Sequence, residues 1–161
     1  MNGDLNPPTC IKELRITKAV RTDDATEEWE YHVACRCGAD DGRVLGHWLV
    51  HPDRPPQQVF VGPLSLECQS CGAVTPFLDT TVHGYDASLG GDYNMKGSGA
   101  QVPFDNRYGQ VIAAFTYQID DLVETSEESG VPAENLFDGC CIWLFPSGAA
   151  ERVLVTGFEC A

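Results

Sequence analysis

Four of the eight cysteines in this 161-residue chain fall into two close pairs. Cys35 and Cys37 are separated by one residue, and Cys68 and Cys71 by two, with thirty residues between the pairs. Thiolates are soft donors, and a tetrahedral metal ion needs four of them converging at about 2.3 Å. The spacing therefore predicts one metal ion bound by all four sulfurs.

A glycine follows each pair, at Gly38 and Gly72. Glycine tolerates positive φ without steric cost, so both pairs fit tight turns whose backbone amides can point at sulfur. Such amides would stabilise thiolates from outside the ligand shell. The alternative is that all four are free cysteines, buried and packed as small hydrophobic residues.

With four cysteines and no open position, the metal is expected to be structural and to contribute folding free energy rather than activate a water molecule. Zinc is the predicted ion. Tetrahedral four-sulfur sites also suit iron, so an iron–sulfur cluster is the alternative.

Residues 29–77 resemble zinc ribbons and other β-rich folds in which two cysteine turns bind zinc and pin sheets together. The first pair has one intervening residue where ribbons usually have two. The four-cysteine spacing is also similar to that of the small two-iron ferredoxins associated with bacterioferritin, whose spacer is helical. Here residues 44–50 and 58–67 read as strands, which favours the ribbon-like comparison and a structural zinc.

A second group of polar residues opens a glycine-rich stretch, residues 83–109. His83 and Asp86 lie at its start, just after Asp79. A histidine near two carboxylates could act as a general base. Long loops inside compact domains are often functional, so this loop could serve an enzyme or a small-ligand binder.

The remaining cysteines, Cys10, Cys140, Cys141 and Cys160, receive no role from the sequence. Methionine sulfoxide reductases of the zinc-containing β type also combine a four-cysteine site with a later catalytic cysteine. Their surrounding motifs are not visible in this chain, and the acidic residues near the later cysteines would raise a thiol pKa.

Hydrophobic residues alternate with polar ones through most of the chain, which is the period of half-buried strands. The predicted strands comprise a hairpin ending at Cys35, then residues 44–50, 58–67, 73–77, 111–119, 141–145 and 152–159. Residues 21–26 read as a turn. Short helices are expected near residues 120–129 and 131–139, where Pro132 and Gly139 bracket the second. The prediction is a single mainly β domain, residues 1–161, of antiparallel sheets pinned by the metal, with one or two short helices near its C-terminal third.

Ten basic and twenty-four acidic residues give a formal charge of −14. This charge repels nucleic-acid phosphates and anionic membranes and suits a basic protein partner. The first residues lack the basic and apolar stretches of a secretory signal, and reduced cysteines fit the cytoplasm. The sequence therefore predicts a small, acidic, cytoplasmic zinc protein that binds another protein, with no catalytic constellation evident.

Overall fold

A computed structural model describes residues 5–23, 28–91, 96–117 and 120–159, which form a mainly β, antiparallel structure, as predicted. Its nine strands are β1 (Arg15–Asp23), β2 (Glu28–Ala34), β3 (Gly42–Val50), β4 (Gln58–Cys68), β5 (Val74–Leu78), β6 (Val102–Pro103), β7 (Gly109–Thr116), β8 (Gly139–Pro146) and β9 (Val153–Glu159). The two described α-helices are α1 (Tyr85–Ser88) and α2 (Leu122–Ser129), and 3₁₀ turns lie at Thr9–Ile11 and Ala133–Asn135.

Strand β7 lies at the centre of the sheet. It pairs with β2 on one side and β8 on the other, while β1 extends the sheet beyond β2 and β9 extends it beyond β8. Five consecutive residues of β7, numbers 111–115, are buried. Burial on both faces explains why this strand reads as an almost continuous apolar run.

The second part of the sheet has the order β6-β3-β4-β5. A single residue pair, Gly42 with Gly109, joins it to β7. A Cβ atom at Gly109 would lie 2.0 Å from the carbonyl oxygen of Phe145, so no other residue permits this approach. The sheet curls from this junction until β4 and β9 come within 8 Å between Cα atoms.

The core fills the inside of the curled sheet. Aromatic rings from three segments meet there: Tyr31 lies 6.1 Å from Phe115, and Phe115 lies 4.7 Å from Phe137, between ring centroids. Leu64 and Leu66 of β4 enter the same core, each 1% exposed. Burying side chains of this size contributes roughly 1.5–3 kcal/mol each, so this cluster is a main source of folding free energy.

The connection from β7 to β8 departs from the prediction in its second half. Helix α2 forms within the predicted residues and ends at Gly130, whose φ of 74° is left-handed. Residues 131–139 form only a 3₁₀ turn rather than a helix. The hydroxyl of Tyr117 donates to the carbonyl of Glu134 at 2.8 Å, which fixes this turn against the end of β7.

Three further boundaries differ from the expectations. Strand β1 continues to Asp23 through part of the expected turn, whose last residues lie outside the described ranges. Ile119, at the end of the strand predicted at residues 111–119, also lies outside them. The glycine-rich stretch contains helix α1 and the two-residue strand β6. None of the helices in the described ranges has the length and apolarity that crossing a bilayer requires.

Candidate metal centre

The four paired cysteines lie in two turns at the same end of the sheet. Cys35 follows the last residue of β2, and Cys37 lies in the turn towards β3. Cys68 is the last residue of β4, and Cys71 lies in the hairpin turn towards β5. Because β3 pairs with β4, the first turn and the second turn are neighbours, as the sequence predicted.

The four sulfur atoms all lie within 4.8 Å of one another. The sulfurs of Cys35 and Cys71 are 3.6 Å apart, and those of Cys37 and Cys68 are 3.5 Å apart. A tetrahedron with metal–sulfur bonds of about 2.3 Å requires sulfurs about 3.8 Å apart. All four are free thiols, and a disulfide would need a separation of about 2 Å. The spacing therefore fits one tetrahedral ion.

Both turns direct backbone amides at sulfur. Gly38 and Gly72 have φ values of 101° and 73°, the left-handed conformation that the sequence predicted for them. The amides of Cys37, Ala39 and Ala73 lie 3.5 Å from the sulfurs of Cys35, Cys37 and Cys71 respectively. These donors favour the deprotonated thiolate, which is the form that binds a metal.

The two turns are also tied to each other. The amide of Gln69 in the second turn donates to the carbonyl of Asp41 in the first, at 3.0 Å. Gly42 and Cys68 are direct partners in the β3–β4 ladder. Sulfur positions therefore depend on the sheet as well as on the local turns.

Arg15 of β1 clamps the first turn, a role that sequence spacing did not reveal. Its guanidinium donates to the carbonyls of Cys35 at 3.2 Å and Ala39 at 3.0 Å, and pairs with Asp40 at 2.9 Å. The cause lies in the register, because Arg15 opposes Ala34 across the β1–β2 ladder. Arg36 donates in turn to the carbonyl of Lys12. Two arginines thus fix the first turn through hydrogen bonds to backbone carbonyls.

The pKa values of Cys68 and Cys37 differ from the ordinary thiol value in opposite directions. Hydrogen bonds from the amides of Cys71 and Ser70 lower the pKa of Cys68 to about 7. The amide of Ala39 lowers the pKa of Cys37, but the neighbouring thiols of Cys68 and Cys35 raise it further, to about 11. One thiolate therefore forms readily and opposes ionisation of its neighbours. A divalent cation removes that opposition, since metal-bound thiols are deprotonated.

Each pair combines one buried and one exposed cysteine. Cys35 is 7% exposed and Cys68 is 1% exposed, whereas Cys37 and Cys71 are exposed. The cluster thus lies at the surface of the core, with two of its four cysteines exposed. An ion bound by all four sulfurs would have no tetrahedral position left for a substrate.

The second candidate group is brought together only in part. Asp79 and His83 both line an open cavity of about 720 Å³, with Cys10 and Glu13 on another wall. Asp86 lies in helix α1 and is not among the lining residues. Of the three polar residues that the sequence grouped together, only Asp79 and His83 line this cavity.

Asp79 is engaged by its own loop. Its carboxylate accepts hydrogen bonds from the hydroxyl of Thr81 at 2.6 Å and from the amide of Thr81 at 2.9 Å, and it pairs with Lys96 at 3.2 Å. Burial raises the pKa of this carboxyl, but Thr81 and Lys96 lower it more, so the pKa lies below its usual range. Asp79 therefore stabilises the loop as an anion.

His83 is held in its neutral form. Burial lowers its pKa, although the charge of Asp79 acts in the opposite direction. Its Nδ1 accepts the amide of Asp79 at 2.9 Å, which places the proton of the neutral ring on Nε2. The ring can therefore donate a hydrogen bond from Nε2, while its Nδ1 lone pair is already occupied by the amide of Asp79.

The other cysteines and histidines lie apart from the metal cluster. Burial raises the pKa of Cys10 to about 12, which makes it unreactive. Cys140 is buried and Cys141 is half-buried on β8, while Cys160 lies outside the described residues. His47 is buried on β3, and His51 accepts the amide of Asp53 beyond the strand end.

Three comparisons with known proteins place this geometry in context. Searches against protein-family models, curated proteins and solved structures find no match to this chain. The four-sulfur cluster, held by two amide-lined turns of one antiparallel sheet, is therefore described by its own geometry alone.

Proposed function

We propose that the chain is a small zinc protein in which Cys35, Cys37, Cys68 and Cys71 hold one structural Zn²⁺. The observation that carries the proposal is the convergence of all four sulfurs within 4.8 Å, in turns whose amides donate to three of them. Zinc accepts this donor set and geometry, and it requires no redox partner. The ribbon-like resemblance of residues 29–77 agrees with this assignment.

Iron is the competing metal, and elemental analysis with an absorption spectrum distinguishes the two. A colourless protein with one zinc per chain supports the proposal, and so does intense visible absorption of the cobalt-substituted protein, typical of tetrahedral thiolate coordination. A brown protein that contains iron and acid-labile sulfide contradicts it. Iron–sulfur clusters are also held by four cysteines, so colour and sulfide decide where geometry does not.

We further propose that the protein acts by binding another protein in a reducing compartment such as the cytoplasm. A metal with four protein ligands has no open position for catalysis, so function is assigned to the surface. The net charge of −14 favours a basic partner. Nucleic acid is disfavoured, since Arg15 and Arg43 are already paired with Asp40 and Glu67.

Panning the zinc-loaded protein against phage-displayed random peptides tests this function. Repeated enrichment of related peptides, lost after zinc is removed by a chelator, supports a metal-dependent binding surface. A library that yields no related sequences above an unrelated acidic control protein counts against protein binding. The chelated sample serves as the matched control because its amino-acid sequence is unchanged.

The cavity beside Asp79 and His83 supports a second candidate function, binding of a small ligand. The observation in its favour is that the free Nε2 donor of neutral His83 belongs to a residue lining about 720 Å³ of space. A fragment screen followed by nitrogen-15 NMR of the histidine rings tests it. Fragments that shift the His83 resonances, and lose affinity in a His83→Phe variant, favour this function over protein binding.

A further inference from the structure

Five strands follow one another around the curl of the sheet in the order β4-β3-β7-β8-β9. Every ladder between them is antiparallel. Direction therefore alternates along the series, and β4 and β9, at its two ends, run the same way. Two strands of equal direction cannot complete an antiparallel ring directly. One additional strand, antiparallel to both, is needed to close it.

A groove lies where that strand would fit. Its walls include four consecutive residues of β4, numbers 58–61, and four of β9, numbers 154–157, together with Trp48 and Phe104. The groove holds about 570 Å³ of space, within the roughly 300–1,000 Å³ typical of ligand sites. Towards Leu64 and Phe158 it narrows to a cavity of about 20 Å³ between the same two strands. Because consecutive residues of both β4 and β9 line it, the groove is a gap between the edges of these two strands.

Both edges of the gap lack a second neighbour in the described part of the chain. Within the described residues, strand β9 pairs only with β8, and β4 has no second ladder partner at residues 58–61. From Gly62 onward the β4 edge is covered, first by the amide of Gly97, which donates to the carbonyl of Gly62 at 2.8 Å, and then by β5 at residues 64–67. The unpaired N–H and C=O groups of such edges are ready to pair with another chain. A bulge at Val155, which has no partner in β8, bends β9 but leaves residues on both sides of it in the ladder.

Other edges of the sheet carry features that prevent pairing. Strand β1 has Arg15, Lys18 and Arg21 along its length. Strand β5 contains Pro76, and β6 is only two residues long. Charged residues, proline and shortness are the usual protections of edge strands. Residues 58–61 and 153–158 contain neither a charged residue nor proline, so this gap is the least protected edge.

Apolar side chains at the rim could anchor a partner. Trp48 is 42% exposed and stacks on Phe104 at 5.5 Å, and Leu154 across the groove is 46% exposed. His51 is the one titratable side chain among the lining residues. A segment inside the groove therefore meets a neutral, partly apolar surface, on a protein whose net charge is −14.

We propose that this groove binds an extended peptide segment of a partner protein as an added strand, antiparallel to both β4 and β9. The segment carries apolar side chains at alternate positions in its centre and Lys or Arg residues at its ends. Main-chain hydrogen bonds supply affinity and alternate side chains supply specificity, as in other cases of strand addition. The inference rests on the proposed protein-binding function and names its surface and partner chemistry.

The peptides enriched by display on the zinc-loaded protein provide the probes for a binding test. Leu154→Arg places a charge at the rim, and we expect it to weaken binding of the labelled peptides at least tenfold. Val123→Arg is the matched control, because Val123 is 44% exposed on α2, outside the groove. Both positions are exposed, so unchanged zinc content and thermal unfolding would show intact folding. Equal binding by the two variants overturns the proposal.

The orientation of the bound peptide provides a second test, because a peptide held only by non-specific apolar contacts would have no fixed direction. A photo-crosslinker at the peptide N-terminus should label residues near Val61 and Gly157, and one at the C-terminus should label residues near Gln58 and Leu154. N-methylation of central peptide amides should abolish binding, since it removes main-chain donors. The reverse labelling pattern, or concentration-dependent pairing of two copies of this chain through the groove, contradicts the proposal.

The two hypotheses fail in different ways. If display enriches no peptides, the protein-binding function fails. If it enriches peptides that bind with normal affinity to Leu154→Arg and crosslink elsewhere, protein binding survives and the groove assignment fails. A screen that yields peptides with alternating apolar positions and basic ends, sensitive to Leu154→Arg, supports both.

Discussion

Replacing Cys68 by alanine is the sharpest test of the metal assignment. Cys68 is 1% exposed, and its sulfur lies 3.5 Å from that of Cys37. Structural zinc contributes roughly 10–16 kcal/mol in small zinc domains, so one ligand of four is worth about 3–4 kcal/mol. At about 1.4 kcal/mol per factor of ten, we expect zinc affinity to fall about 100- to 1,000-fold.

The same loss should lower the melting temperature by about 6–16 °C, given about 2–4 °C per kcal/mol for a domain of this size. Competition with a chromogenic chelator measures the affinity, and calorimetry of the zinc-loaded protein measures the melting temperature. The two values are linked, because a ligand that binds only the folded state stabilises it according to its affinity.

Cys140→Ala is the matched control. Cys140 is buried to nearly the same extent, at 3% exposure, and lies on β8 away from the cluster. Its loss should cost about 1 kcal/mol, typical of a single substitution, and should leave zinc affinity unchanged. Equal zinc affinities for the two variants would refute the argument that these four sulfurs share one ion.

Three further changes test other parts of the structure. Arg15→Gln should speed zinc transfer to a chelator about tenfold, since partners outside the ligand shell typically contribute 10–100-fold in affinity. Gly109→Ala should destabilise by roughly 3 kcal/mol or more in urea unfolding, because its Cβ would lie 2.0 Å from the carbonyl oxygen of Phe145. His83, with its lowered pKa, takes up protons more readily when unfolded, so the unfolding free energy should fall as pH drops below about 6.5. His83→Gln should remove that dependence.

Each of these has a control within the chain. Arg107 pairs with Asp105, two residues away, so Arg107→Gln should leave zinc transfer unchanged. Gly148 has a φ of 79° but open space around it, so alanine there should cost about 1 kcal/mol. His51 lies beyond the end of β3 and contacts Asp53 rather than the loop of His83, so His51→Gln should retain the pH dependence. A control variant that behaves like its partner variant would contradict the role assigned to Arg15, Gly109 or His83.

The sequence predicted what depends on local pattern. Alternation of apolar residues located β2, β3 and β4, and the Cys-Gly pairs located both turns. The cluster followed because its two turns are joined by neighbouring strands of one hairpin, β3 and β4. Local periodicity and short-range connection were sufficient for the fold class and for the convergence of the four sulfurs.

The same reasoning could not predict which strands pair when they are far apart in the sequence. Nothing in residues 109–116 states that β7 lies between β2 and β8, because an apolar run fits any buried position. The clamp by Arg15 required the β1–β2 register, and the groove required the curl of the whole sheet. The helix expected at residues 131–139 became a 3₁₀ turn, since Tyr117 fixes the carbonyl of Glu134 against β7.

The unequal exposure of the four cysteines has a consequence for how the proposed ion would be exchanged. Cys37 and Cys71 are exposed in different turns, while Cys35 and Cys68 are buried. An incoming thiophilic ion such as Cd²⁺ would reach the two exposed ligands first, while the two buried ligands still held the first ion. Replacement would then proceed by stepwise ligand transfer, without unfolding of the chain.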